Sequence, residues 1–258
     1  MNKSNVTSLA AQLYTLREFC KTPADIAVTY KKVKAMGYDA VQVSGHGPID
    51  PKDLRKIADD NGLEICATHL PFARFVNDIA GVIAEHQILR CKHPCVAAMP
   101  KEMRDSGQSV GQFAKDMETA GRKLTEAGMA LSYHNHSFEF EKFDGRAMMD
   151  IIFGTTDPRY VMAELDTYWV QHGGADPAAW IERMKGRIPL LHVKDMAILK
   201  HEQVMAEIGE GNLNWPAILK AAKAAGVRWY IVEQDVCRRD PFESLAISLK
   251  NLKAMGLK

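Results

Sequence analysis

The sequence lacks an excess of charge of either sign: 33 basic and 32 acidic residues among 258 leave a formal charge of +1. The two signs are mixed along the chain, so there is no cationic stripe for nucleic acid or for an anionic membrane surface. No apolar run approaches the roughly 20 residues of a membrane span, and the start, Met1 to Ala11, lacks the charged-then-apolar order of a secretory leader. The expectation is a cytoplasmic protein with small-molecule partners and neither nucleic acid nor membrane to engage. Cysteine is scarce and unpaired in pattern. The five (Cys20, Cys66, Cys91, Cys95 and Cys237) are odd in number and scattered among apolar residues, which fits reduced buried thiols rather than a disulfide framework. Cys91-Lys92-His93-Pro94-Cys95 has no second half with which to complete a structural zinc site. Also missing is a glycine-rich turn after the first apolar stretch, where Leu13-Tyr14-Thr15-Leu16-Arg17 stands instead. A dinucleotide-binding open sheet is therefore disfavoured.

What the chain does have is alternation. Apolar runs of four to eight residues exchange with segments of helical period eight times. The strands are expected at Leu9–Leu13, Ala40–Val43, Glu64–Thr68, Cys95–Met99, Ala130–Tyr133, Val161–Leu165, Leu190–Val193 and Tyr230–Val232. Helices are expected near Ala24–Met36, Pro51–Asn61, Ile79–Leu89, Val110–Ala127, Ala147–Phe153, Pro177–Lys185, Trp215–Ala225 and Phe242–Met255. Gly37, Gly62, Gly128, Gly226 and Gly256 fall at or just past helix ends, as left-handed caps require. Eight βα units in a chain of this length, 47% apolar, predict an α/β fold, a single-domain (β/α)8 TIM barrel over residues 1–258.

In such a barrel the chemistry sits at the C-terminal ends of the strands, and the unusual polar residues gather there. His46 follows the second strand and His69 ends the third. After the fifth, Leu131-Ser132-Tyr133-His134-Asn135-His136-Ser137-Phe138-Glu139-Phe140 breaks an apolar run with two histidines, an asparagine and a glutamate. Polar groups packed this densely are costly unless a ligand uses them. Three later strands end in Asp166, His192 and Glu233. Each has an ordinary alternative, Asp166 as a cap for the next turn, His192 as a satisfied core residue, Glu139 or Glu233 as solvated loop charges. Four in register at successive strand ends outweigh those readings and predict one metal cup of Glu139, Asp166, His192 and Glu233. Three carboxylates and one imidazole suit Mn²⁺, Mg²⁺ or Co²⁺ better than a structural zinc, with Zn²⁺ as the alternative. His134 and His136, one residue apart, face the same side of an extended strand. Lys194 shares the inward face of His192 by the same alternation, and Glu164, two before Asp166, stands behind the cup.

Tyr133-His134-Asn135-His136 with Phe138-Glu139-Phe140, then Glu164-Leu165-Asp166-Thr167-Tyr168-Trp169, His192-Val193-Lys194-Asp195, Gly209-Glu210-Gly211 and Val232-Glu233 resemble the xylose isomerase-like TIM barrel superfamily of sugar isomerases and epimerases, the sugar phosphate isomerase/epimerase family. The match runs in order through nearly the whole chain. It implies one divalent ion, manganese first, on Glu139, Asp166, His192 and Glu233. It further implies that Glu139 and Glu233 are catalytic, moving protons on opposite faces of a bound sugar through a metal-stabilised enediolate. His69, His134, His136, Lys194, Glu210 and Trp169 are then expected to line the substrate pocket.

Two departures bear on the substrate. Ketose 3-epimerases of this superfamily carry a histidine and an arginine where this chain has Trp169 and Ile198. That shifts the expectation toward keto-sugars, keto-glycosides or inositol-like rings, with a metal-dependent lyase or dehydratase as the alternative reaction. A non-catalytic sugar-binding subunit would be expected to lose a ligand, and the DNA-repair branch of the fold needs more histidines and a basic groove. Glu207 and Glu210 after the seventh strand disfavour a phosphate dianion, against which stand Arg238 and Arg239. Assembly into a homo-oligomer is left open.

Overall fold

Helix starts are set by side-chain caps. Thr22 and Asp25 form a reciprocal capping box at the first helix, with Pro23 in its first turn, and Gly37 ends it at φ 102°. Asn214 caps the helix at Trp215, and Gly226 closes it at φ 85°. The computed structural model describes residues 8–257; residues 1–7, which open the stretch read above for a leader, and residue 258 lie outside the described residues.

Eight parallel strands close a barrel: β1 Ser8–Gln12, β2 Ala40–Val43, β3 Glu64–Leu70, β4 Pro94–Val96, β5 Leu131–His134, β6 Val161–Asp166, β7 Leu190–Val193 and β8 Trp229–Val232. Each pairs with its neighbours in sequence, and β1 pairs with β8 from Ser8↔Trp229 to Ala11↔Val232. Closure leaves the barrel sheet itself without a free edge. Helices α1 Pro23–Met36, α2 Pro51–Asp60, α3 Phe72–Asn77, α4 Ile79–Leu89, α5 Gly107–Glu126, α6 Met148–Thr155, α7 Thr167–His172, α8 Pro177–Arg183, α9 Trp215–Ala225 and α10 Pro241–Ala254 lie between and after the strands. This is the expected (β/α)8 barrel, with each strand and main helix within a few residues of its place in the sequence reading. Helices α3 and α7, a 3-10 segment at Leu13–Phe19, and an antiparallel hairpin of Asp195–Leu199 with Glu202–Ala206 are additions. The hairpin turns through Lys200 and His201 at φ 48° and 71°, so it carries no glycine to announce it.

The main apolar core lies between the strands and the helices. Inside the barrel a second cluster of Ala10, Ala40, Cys66, Ala67, Leu190 and Ile231 is built of small and branched residues. Arg187, just before β7, is almost fully buried and ties β6 to the end of α6, donating to the carbonyls of Val161 at 2.7 Å, Phe153 at 2.6 Å and Thr156 at 3.1 Å. Among the described residues no helix is long and apolar enough to cross a membrane.

Candidate metal centre and active site

Strand closure brings the last residues of β5 to β8 together. One atom from each of His134, Asp166, His192 and Glu233 lies within 4.8 Å of the others, and all four residues are buried. The parallel pairing of β6 with β7 sets Asp166 beside His192, and that of β7 with β8 sets Ile231 beside His192, so Glu233 follows one turn of the pleat later. His192 Nδ1 is 2.9 Å from Glu233 Oε2 and 3.7 Å from Asp166 Oδ2; His134 Nε2 is 3.3 Å from Asp166 Oδ2. The rings of His134 and His192 are 4.5 Å apart between centroids, and that of His69 stacks on His192 at 5.2 Å.

Asp166 serves two structures with two oxygens. Oδ1 accepts the Trp169 N–H at 3.0 Å and caps α7, while Oδ2 faces the cup. Its own N–H donates to Asn135 Oδ1 at 3.1 Å, which ties β6 to the loop after β5. Lys194, 1% exposed, puts its ammonium 2.9 Å from Asp166, 2.7 Å from Glu233 and 2.6 Å from Asp235. Burial opposes the charge on Glu233, but Lys194 and then His192 outweigh it and hold the carboxyl well below the usual range. Asp166 is depressed in the same way, burial opposing and Lys194 and His134 prevailing. Asp235 moves upward, because burial and the neighbouring Glu233 charge exceed the pull of Lys194.

Glu139 stands differently from the expectation. Its oxygens are taken by the Tyr133 hydroxyl at 2.5 Å and the His136 backbone N–H at 2.8 Å, within the single turn Phe138–Phe140. His134, expected in the substrate pocket, occupies the fourth place of the buried ligand-type cluster. Glu139 is fully buried, and burial pushes its carboxyl up to about 7 although the Tyr133 and His136 hydrogen bonds pull it down.

Behind the cup Glu164 is fully buried. It accepts from Gln42 Nε2 at 3.1 and 3.0 Å, from His69 Nε2 at 2.5 Å, and lies 2.9 Å from His192 Nε2. Gln42 and Gln12, both fully buried at the ends of β2 and β1, escaped the sequence reading, as did Asp235. A glutamine inside Ala-Val-Gln-Val was the available signal, since an uncharged amide in an apolar strand needs partners as much as a charge does.

His136 and Trp169 form an aromatic wall. The His136 ring stacks on Phe138 at 5.6 Å and tilts toward Trp169 at 5.5 Å. His136 Nδ1 and Trp169 Nε1 are buried without a hydrogen-bond partner. Burial drives the His136 ring down to about 2, so it is neutral. Glu210 is turned to Arg239 at 2.7 Å, and the same guanidinium reaches Glu207 at 3.1 Å, so the Arg239 charge is engaged by two carboxylates of the loop after β7. Asp195, beside Lys194, is a loop organiser: it accepts the backbone N–H groups of Met196, Gly209, Gly211 and Leu213 and the Trp215 indole at 2.6 Å. His46 packs against Tyr30 at 5.8 Å, and both of its ring nitrogens are buried without partners.

Among known proteins, the chain is 24% identical over 261 aligned residues to an inosose dehydratase of Lacticaseibacillus casei, covering 84% of this chain and 85% of that one. The crystal structure of a sugar phosphate isomerase/epimerase from Parabacteroides distasonis superposes with a TM-score of 0.83 at 25% identity, over 100% of this chain and 98% of that one. An L-ribulose 3-epimerase shares the fold with a TM-score of 0.72 at 17% identity, over 98% and 95% of the two chains. The sequence profile of the xylose isomerase-like TIM barrel matches residues 30–255, and with the closed barrel and the order of its polar strand ends this makes the chain a member of that family.

Proposed function

We propose that the protein is a divalent-metal-dependent isomerase or epimerase that moves a proton at a carbon next to the carbonyl of a keto-sugar or inositol-like substrate. The observation that carries this reading is the convergence of four buried ligand-type side chains, His134, Asp166, His192 and Glu233, within 4.8 Å of one another at the C-terminal strand ends, with a second buried glutamate, Glu139, in the loop after β5. Of the two glutamates, Glu139, which burial raises to about 7, is matched to taking and returning a proton near neutral pH, while Lys194 holds Glu233 ionised.

His134, Asp166, His192 and Glu233 would hold the ion, with Glu139 added by the family resemblance. Two imidazoles and two carboxylates fit Mn²⁺, with Co²⁺, Zn²⁺ or Mg²⁺ as alternatives. When bound, such a cation supplies electrophilic stabilisation of the negative charge that develops on a substrate oxygen. Glu139 takes or gives a proton at Oε1 or Oε2, and Glu233 is the second carboxylate, ionised beside Lys194. Lys194 keeps Asp166 and Glu233 charged. His69, His136 and Trp169 shape the pocket, where the Trp169 indole N–H and His136 Nδ1 have no protein partner. Arg239 is engaged by Glu207 and Glu210, which favours a neutral substrate over a sugar phosphate. We take residues 1–258 as one domain acting on a small carbohydrate in the cytoplasm.

Similarity to the Lacticaseibacillus casei inosose dehydratase favours a second reading, in which the same base removes the proton and a β-hydroxyl leaves. One experiment separates them. The Mn²⁺-loaded protein is incubated in D2O with a panel of keto-sugars, keto-glycosides and inososes and followed by NMR. Deuterium entering the carbon next to the carbonyl, with a new epimer or isomer, supports the first reading; an unsaturated product supports the second. Neither exchange nor an unsaturated product with any member of the panel overturns both.

A further inference from the structure

The hydrogen bonds around Glu164 determine which nitrogen of His192 carries its proton. A carboxylate only accepts, so the Gln42 amide 3.1 and 3.0 Å from its two oxygens must present its NH2 end there. The carbonyl end of Gln42 is thereby turned to His192 Nε2, 2.6 Å away, and Glu164 Oε1 lies 2.9 Å from the same nitrogen. Two acceptors face Nε2, so Nε2 is the donor.

The far side of the network agrees. Gln12 Oε1 accepts the Tyr14 N–H at 3.3 Å, which leaves its amide nitrogen facing His69 Nδ1 at 3.5 Å. His69 Nδ1 is thus an acceptor and Nε2 the donor to Glu164 at 2.5 Å. Both histidines point an N–H at one buried carboxylate. In a neutral His192 the Nδ1 lone pair then converges with Glu233 Oε2 at 2.9 Å and Asp166 Oδ2 at 3.7 Å, the two oxygens that also meet the Lys194 ammonium at 2.7 and 2.9 Å. A divalent ion among these three atoms would take all of them as donors.

We propose that Glu164 is a positioning residue which, with Gln42, holds His192 as the Nε2–H tautomer so that Nδ1 is the nitrogen offered to the metal. The inference rests on the metal reading above. His69, Glu164 and His192 are themselves close enough to hold an ion. Against a second ion there, the Glu164 oxygens are already occupied by N–H groups from Gln42, His69 and His192, the pattern of a carboxylate that orients a ligand rather than one that serves as a ligand.

The test uses two measurements. Protein labelled with ¹⁵N-histidine and loaded with ¹¹³Cd²⁺ should show cadmium coupled to His192 Nδ1, with Nε2 protonated; coupling to Nε2 overturns the inference without any variant. In titrations of Mn²⁺ and Zn²⁺ against a chromophoric chelator, Glu164→Gln should weaken metal binding roughly 10–100-fold while circular dichroism stays that of the wild type. Wild-type affinity in Glu164→Gln overturns the inference and leaves the proposed function standing. A wild-type protein that takes up no divalent ion overturns both.

Discussion

The Tyr133 hydroxyl donates to Glu139 Oε1 at 2.5 Å, from the strand that ends one residue later to the turn that follows it. This bond favours the ionised carboxylate and opposes burial, which still leaves the group raised to about 7. Tyr133→Phe removes the donor and keeps the ring, so the Glu139 carboxyl should rise further. The limb of the kcat/KM against pH profile that Glu139 sets is expected to move up by about one pH unit. An unmoved limb would separate Glu139 from catalysis.

Asp166 allows ligand and cap to be tested apart, because Asn caps a helix about as well as Asp. Asp166→Asn should keep the Trp169 cap and the melting temperature yet lose metal affinity by at least tenfold, as measured by titration. Asp166→Ala should lose both, with a further stability cost of about 1 kcal/mol. Chelation of the wild type should abolish turnover, and Mn²⁺ should restore it. Activity that survives exhaustive chelation would end the metal reading.

Burial lowers His46 and His93 to about 4 each, against an ordinary 6.5. The sign follows from linkage: between those values the unfolded chain binds protons that the folded rings refuse, so stability falls as pH drops from 6.5 toward 4. Neither ring nitrogen of His46 has a partner to lose. His46→Phe should therefore raise stability at pH 4.5 by about 1–2 kcal/mol relative to its effect at pH 7.5. Denaturant unfolding at the two pH values measures this, and equal effects at both would contradict the assignment.

Arg187→Met should be among the costly changes remote from the site. The substitution leaves the carbonyls of Val161, Phe153 and Thr156 without their buried donor. The expected loss is about 3 kcal/mol, a fall in melting temperature of roughly 6–12 °C for a chain of this size. A shift below about 2 °C would mean that water takes over the three acceptors.

Much of the barrel was legible because the signals that made it are local. Period-two and period-3.6 patterns and glycine past the helix ends all act within a few residues. The same locality explains what was missed. The Asp195–Ala206 hairpin is held by pairing across a turn with no glycine or proline, and α7 is only six residues long, capped by an aspartate whose second oxygen serves the cup. Asp166 was read as either ligand or cap, and it is placed to be both.

From its sequence alone the chain determined eight βα repeats, a right-sized apolar interior, and an accumulation of His, Asp and Glu at the C-terminal strand ends. Those follow from the alternation of side chains along each strand and need no partner strand. Which of the polar residues meet was decided only by closure of the barrel. Gln42 reaches Glu164 across 122 positions of sequence, Lys194 is drawn to Asp235 across 41, and Arg239 is spent on Glu207 and Glu210. His134 faces Asp166 while Glu139 turns back to Tyr133, although both belong to the same short motif. The physical reason is that a charged or amide side chain withdrawn from water must find its hydrogen bonds within about 3 Å, and the neighbours at that range are set by register across strands rather than by order along the chain.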